Sequence, residues 1–361
     1  MAFDPVQEDC HRLVLEAMRR ERTPLTDNRA VERLMRQFTA DPAALIIHDR
    51  DRAGHLVAKA AEILDYRVPF IADDATAETQ AQTAENMLRE AHALDPDNWD
   101  AQRMICAITA QSNDEYVQYL IDGREKVEHD LALKIAAAQD PYDREAAGDL
   151  MRRPYLRWLA ALASRALISG RYRMAIDVAE QSLSFAPDDP AGIRHTAVIA
   201  LAKLECDHER IERFRTEHAL AYLDMEPTGD MRRRRRAKKD ALDPWTLIAH
   251  MSIAWRAFDY KSAEGYLEQL VRSCLKAAEA LFFQTEFPDG VYARVNVAPG
   301  STDELVLALS EATPLLQEGL GAPDNASFAA WVATNPIVQS GVDEKILRAA
   351  MQQAAEQGGE R

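Results

Sequence analysis

Cysteine is scarce in this chain. Cys10, Cys106, Cys206 and Cys274 are its four cysteines in 361 residues, and no two form a C-x-x-C pair. That excludes a disulfide scaffold and a zinc knuckle. Aromatic side chains make up 7%, a lean supply for a surface that stacks nucleic-acid bases. No apolar run reaches the ~18 residues of a membrane-spanning helix. The opening "MAFDPVQEDCHRL" lacks the basic-then-apolar layout of a secretory signal. Strand-like alternation is confined to "VYARVNV" (291–297), expected to be extended or a small edge strand. The phosphate-cradling G-x-x-x-x-G-K-S/T loop, the G-x-G-x-x-G turn, the G-x-S-x-G elbow and the H-E-x-x-H helix are all missing. The expectation is a soluble, reduced, cytoplasmic protein with no cofactor, no metal and no catalytic motif.

Charge is abundant and uneven. The formal net charge is −16. Residues 61–151 hold seven bases and twenty acids, whereas 152–240 hold eighteen bases and thirteen acids. An acidic block is thus followed by a basic one, an asymmetry that bears on docking and solubility.

Helical periodicity runs through almost every segment. "VQEDCHRLVLEAMRR" sets Val6, Cys10, Leu13, Val14 and Ala17 on one stripe. "NRAVERLMRQF" does the same with Val31, Leu34, Met35 and Phe38. "ALIIHDRDRAGHLVAKAAEIL" continues with Leu45, Ile46, Leu56, Val57, Ala60 and Ile63. Asp-Pro recurs at 4–5, 41–42, 95–96, 140–141, 189–190 and 243–244. Asp accepts from the free N–H groups of a helix start, and Pro has no N–H to satisfy there, so most of these pairs should open helices. "STDEL" (301–305) adds a capping box, with Ser301 at the cap and Glu304 three residues on. A long series of short amphipathic helices cannot close one core and suggests stacked pairs.

The stretch "LRWLAALASRALISGRYRMAIDVAEQSLSFAPDD" (156–189) gives the stacking a unit. Small Ala163, Ala175 and Ser182 permit close helix approach, Gly170 suits a left-handed turn, and Pro187 ends the second helix. This stretch resembles the tetratricopeptide repeat (TPR) family. Leu162 and Ala163 stand where the family has Leu-Gly, Tyr172 and Ala175 match the start of its second helix, and Leu159, Ala166 and Ala179 depart from its bulky positions. The windows 190–223 and 244–277 and the half-unit 84–98 resemble it more loosely. The block "RPYLRWLAALASRALISGRYRMAIDVAEQ" is also similar to repeats of suppressor-of-tumorigenicity-type TPR proteins. The resemblance implies an all-α, right-handed solenoid of antiparallel helix pairs with a helical C-terminal cap. Its expected parts are an N-terminal helical region (1–66), an array (67–286) with an insertion loop (224–244), and a cap (287–361).

What the resemblance implies for function is a non-catalytic scaffold that binds an extended peptide or a helix in a concave groove. Arg157, Ser164, Arg194, His195 and Trp245 fall at its groove positions. Six arginines and no acid lie between Asp149 and Asp177, so an acidic peptide is one expected partner. Arg232, Arg233, Arg234, Arg235 and Arg236, within "MRRRRRAKKD", form a second basic feature on the insertion loop, an electrostatic docking point. The run has no interleaved aromatic and sits in an acidic chain, which argues against a nucleic-acid site. Chaperone carboxylate clamps of the family use Lys and Asn where this chain has Ala160, Ser164, His195, Trp245 and Ala249, so no such clamp is expected. Two other readings remain: a nucleic-acid adaptor through 232–239, and an enzyme or ligand-binding protein with its site in the C-terminal third, where "FPDGVYARVNVAPGSTDEL" is not helical. "HDRDRAGH" places His48 and His55 two turns apart as surface or groove residues, and "CDHE" (206–209) reads as a repeat turn.

Overall fold

The computed structural model describes residues 3–71, 73–222, 242–284, 297–316 and 327–348. Among them every regular element is helical and many helices pack in pairs. No described helix is long and apolar enough to cross a membrane. The basic run 232–236 lies outside the described residues, and so does "VYARVNV" apart from Val297.

Local chemistry sets the helix starts. Asp4, Asp140 and Asp243 each accept from backbone N–H groups two or three residues on, with Pro next in the chain. Asp41 does the same for a single 3-10 turn. Asp95 instead ends a helix. Asp189 stands outside its helix in a left-handed conformation, φ 49°, and reaches forward to Ile193 N (2.8 Å) and Arg194 N (3.1 Å). Ser301 accepts from Glu304 N (3.1 Å), while the Glu304 carboxylate takes Gly300 N (2.6 Å).

The chain divides into two compact units at Ser169–Gly170. The first contains α1 (Pro5–Glu21), α2 (Asn28–Ala40), α3 (Asp49–Tyr66), α4 (Asp74–Leu94), α5 (Trp99–Thr109), α6 (Asn113–Ala137), α7 (Pro141–Gly148) and α8 (Arg153–Ile168). Its pairings are α1 with α2 and α3, α3 with α4, α4 with α5, and α8 with α5 and α6. Leu13, Val14, Ala17 and Met18 of α1 pack on Leu34 and Phe38 of α2. Ala60 and Ile63 of α3 meet Ala84 and Leu88 of α4 and Met104 of α5. Each large side chain buried this way contributes about 1.5–3 kcal/mol. Trp158 of α8 lies against α6, where its Nε1 donates to Leu120 O at 2.8 Å. Gly123 makes room for it, since a Cβ there would stand 2.4 Å from the indole.

The second unit contains α9 (Tyr172–Phe185), α10 (Ile193–Lys203), α11 (His208–Glu217), α12 (Pro244–Arg256) and α13 (Tyr260–Ser273), followed by shorter helices as far as Gln339. Here α9 packs on α10, α10 on α12 and α12 on α13. Helix α10, "IRHTAVIALAK", is buried on every side from His195 to Ala202, as befits a helix enclosed by its neighbours. Gly170 separates α8 from α9 at φ 72°, a left-handed turn that glycine adopts without strain.

Candidate functional site

The first unit contains a cleft of about 340 Å³ lined by residues of α1, α3, α5, α6, α7, α8 and their links. Helical spacing builds one wall. Val57, Ala61 and Asp65 follow at intervals of four on α3 and all line the cleft. Asp100, Arg103 and Met104 come from α5, Arg157 from α8, and Phe3, Glu8, Asp9 and Arg12 from the N-terminal segment and α1.

Arg157 is the hub of this region. Its Nε donates to Asp100 Oδ1 (2.8 Å), and its two terminal nitrogens reach Glu8 Oε2 (2.8 Å) and Glu8 Oε1 (3.0 Å). Arg153 also donates to Glu8 Oε2 (3.1 Å), and the Phe3 ring sits 5.2 Å from both guanidinium carbons. Burial disfavours the Arg157 cation, but Asp100 and Glu8 outweigh that and raise its pKa well above the usual value. Asp100 shows the reciprocal effect: burial pushes its carboxyl up, and Arg157 and Arg103 bring it below the usual range. Deeper along α1, Arg12 holds Asp9 (2.7 Å) and the Asp51 backbone oxygen (2.9 Å), and His55 Nδ1 lies 2.6 Å from Asp9 Oδ2.

Asp65 is half-buried in the cleft wall and has neither a hydrogen bond nor an ion pair with any described residue, which among the lining acids is otherwise true of the exposed Asp97 alone. Burial pushes the Asp65 carboxyl up to about 6, against a smaller pull from Arg103 and Arg157, which are engaged with Asp100 and Glu8. A carboxyl whose folded pKa exceeds its unfolded value of 3.8 costs stability above about pH 6 and nothing below its unfolded pKa. Asp65→Asn is therefore expected to stabilise the protein at pH 7.5 by ~1–3 kcal/mol, and to have little effect near pH 3.5. Urea titrations at the two pH values check this, and a loss of stability at pH 7.5 would show the carboxylate to be well partnered.

The residues expected to form a groove fall into two groups. Arg157 and Ser164 lie on α8, the first in the ion cluster and the second buried. Arg194, His195 and Trp245 come together in the second unit. Arg194 donates to Asp189 Oδ2 (3.0 Å) and lies over Tyr222, with 5.3 Å between guanidinium carbon and ring centroid. His195 stacks on Trp245 at 3.9 Å between centroids, with its Nδ1 3.5 Å from Asp243 Oδ1. Trp245 donates from Nε1 to the buried Glu311 carboxylate at 2.5 Å. Burial pushes the Asp243 carboxyl up, and bonds from His195 and the Thr246 N–H, with the Arg194 charge, hold it well below the carboxylate range.

Asp65, Arg103, Asp100 and Glu8 did not stand out in the sequence. A signal for Asp65 was present, because it is an acid on the stripe that otherwise reads Val57, Ala61. His250 was missed as well. His208 of the "CDHE" turn meets it, Nδ1 to Nδ1, at 2.8 Å, and Tyr266 stacks on both rings. The other His250 nitrogen, Nε2, lies 3.0 Å from Glu212 Oε1. One neutral arrangement satisfies all three groups: His208 donates to His250, which donates to Glu212. Protonating His250 would force His208 to turn its Nδ1 from donor to acceptor. Burial lowers its pKa, and the opposing pull of Glu212 is smaller. A depressed imidazole leaves stability intact above its unfolded pKa of 6.5 and loses it as pH falls below that value. Between pH 7.5 and 5.5 the wild type should lose stability with a slope of up to ~1.4 kcal/mol per pH unit from this group. Urea midpoints of His250→Gln over the same range should fall less steeply.

His55 pairs with Asp9 and His48 is exposed at the start of α3. Among the described residues, no three His, Cys, Asp or Glu side chains converge as a metal site would require. No protein-family model, no curated protein and no solved structure matches this chain.

Proposed function

We propose that this protein is a non-catalytic interaction scaffold, a TPR-like array of helix pairs that takes an extended peptide or a helix of a partner. The observation that supports this reading best is the open cleft of the first unit. Its rigid helical walls mix apolar surface (Val57, Ala58, Ala61, Met104) with charged groups, the combination that gives a binding site both area and orientation. Arg157 and Arg194, the arginines expected to seek an acidic ligand, hold the chain's own Glu8, Asp100 and Asp189. Recognition in this reading runs through the cleft groups that the fold leaves open.

Selection of a displayed random-peptide library on the full chain tests the proposal. Peptides that bind the wild type should lose binding to Ala61→Trp, which fills the cleft from α3. Selection of no peptide, or of peptides indifferent to that substitution, would count against the scaffold reading of this site.

A further inference from the structure

We propose that the cleft of the first unit is a receptor for one cationic side chain, the ammonium or guanidinium of a lysine or arginine in a partner peptide, with Asp65 as its counter-ion. The inference deepens the scaffold reading and rests on it.

The argument begins with what is already paired. The bases that line the cleft are Arg12, Arg19, Arg50, Arg103, Lys134 and Arg157. Each lies within ion-pair distance of an acid of this chain: Arg12 of Asp9, Arg19 of Asp143, Arg50 of Asp95, Arg103 and Arg157 of Asp100, and Lys134 of Asp130. None is left to attract an anion. The lining acids outnumber these bases, nine to six. Of the acids, Asp65 and Asp97 have neither a hydrogen-bond donor nor an ion pair among the described residues; Asp97 is exposed, whereas Asp65 is half-buried beside Ala61 on the stripe of α3 that lines the cleft.

The groups around Asp65 leave it a negative charge to spare. Glu8, Asp9 and Arg12 face the cleft from α1, Asp51 from its own helix, Asp100 and Arg103 from α5, and Arg157 from α8. The paired helix α4 contributes no side chain to the lining. Arg103 and Arg157 are balanced by Asp100 and Glu8, so the Asp65 carboxylate is in excess at this end. A half-buried carboxylate lacking protein donors gains from a partner that supplies them. A ligand ammonium or guanidinium supplies both donors and charge. The apolar patch of Val57, Ala58, Ala61 and Met104 suits the aliphatic stem that carries such a group.

Calorimetry on the full chain with three probes provides the test. Agmatine presents a guanidinium on a short stem, N-acetyl-arginine methylamide presents it on a peptide unit, and n-pentanol is a neutral stem. Both guanidinium probes should bind at pH 7.5 and pentanol at least tenfold more weakly. Affinity should fall about tenfold from pH 7.5 to pH 5, because Asp65 then takes up the proton that the cation must displace. Asp65→Asn, checked for native circular dichroism, should bind at least tenfold more weakly and with no such pH dependence. Failure of both guanidinium probes to bind, equal binding by Asp65→Asn, or equal binding of pentanol would overturn the proposal. Binding of agmatine alone, with no arginine peptide unit able to compete, would overturn its peptide half and assign the cleft to a free amine. If library selection yields cleft-dependent peptides that lack Lys and Arg and ignore Asp65→Asn, this inference falls while the scaffold reading stands.

Discussion

Replacing Arg157 with alanine is expected to destabilise the first unit by about 3–5 kcal/mol, the cost of leaving buried charges without their partner. The arginine joins three distant parts of the chain: Glu8 at the start of α1, Asp100 at the start of α5, and α8 itself. Asp100 is 8% exposed and Glu8 18%, so the alanine variant weakens the pairing of two carboxylates that water reaches poorly, although Arg153 still holds Glu8 at 3.1 Å. Arg103 can partly compensate Asp100, at 3.4 Å, which places the expected loss toward the lower end for that acid. Arg157→Lys should recover part of the loss, because an ammonium restores the charge but not the fork that meets two carboxylates at once. Urea unfolding followed by tryptophan fluorescence reports the change, since Trp99 and Trp158 belong to this unit. A double-mutant cycle with Asp100→Asn and Glu8→Gln should show coupling above about 1 kcal/mol for each pair. A loss under ~1 kcal/mol in Arg157→Ala would mean that the cluster holds nothing together.

The second large effect concerns Trp158. It is 1% exposed and its indole N–H is bonded to Leu120 O. Trp158→Ala removes that bond and leaves a cavity between α6 and α8, for an expected loss of about 3–5 kcal/mol. The companion variant Gly123→Ala makes a sharper prediction, because two rules disagree about it. Gly to Ala inside a helix usually stabilises by about 0.5–1 kcal/mol. Here the new methyl would stand 2.4 Å from the indole, and forcing it in costs about 1–3 kcal/mol. Packing wins in this geometry, so Gly123→Ala should destabilise the wild type. In the Trp158→Ala background the same methyl meets empty space and should be neutral or stabilising. That reversal of sign is the expected result, and Gly123→Ala stabilising the wild type would contradict the packing.

These predictions show where the sequence is transparent. Helix starts depend on chemistry two or three residues away, and Asp4, Asp140, Asp243 and Ser301 were legible for that reason. Asp95 and Asp189 were less so, since the same Asp-Pro pair can stand in the link ahead of a helix. Gly170 was readable because a left-handed turn between two helices asks for glycine. The destination of Arg157 was not. Periodicity fixes which stripe of α8 it occupies, but not that Glu8, 149 residues earlier, would reach the same stripe. His208 and His250 are 42 residues apart and met for the same kind of reason. Asp65 lies between these cases: its place on an otherwise apolar stripe was visible, and its lack of a donor became visible only with α5 and α8 in place.

A carboxyl that titrates near 6 is also a chemical handle. Carbodiimides and diazo reagents attack the protonated acid, and an ordinary carboxyl is ionised and inert near pH 6. Under those conditions Asp65 keeps about half its protons. Brief esterification at that pH should therefore mark this one side chain ahead of its neighbours. A fluorophore could then be placed in the cleft without introducing a cysteine.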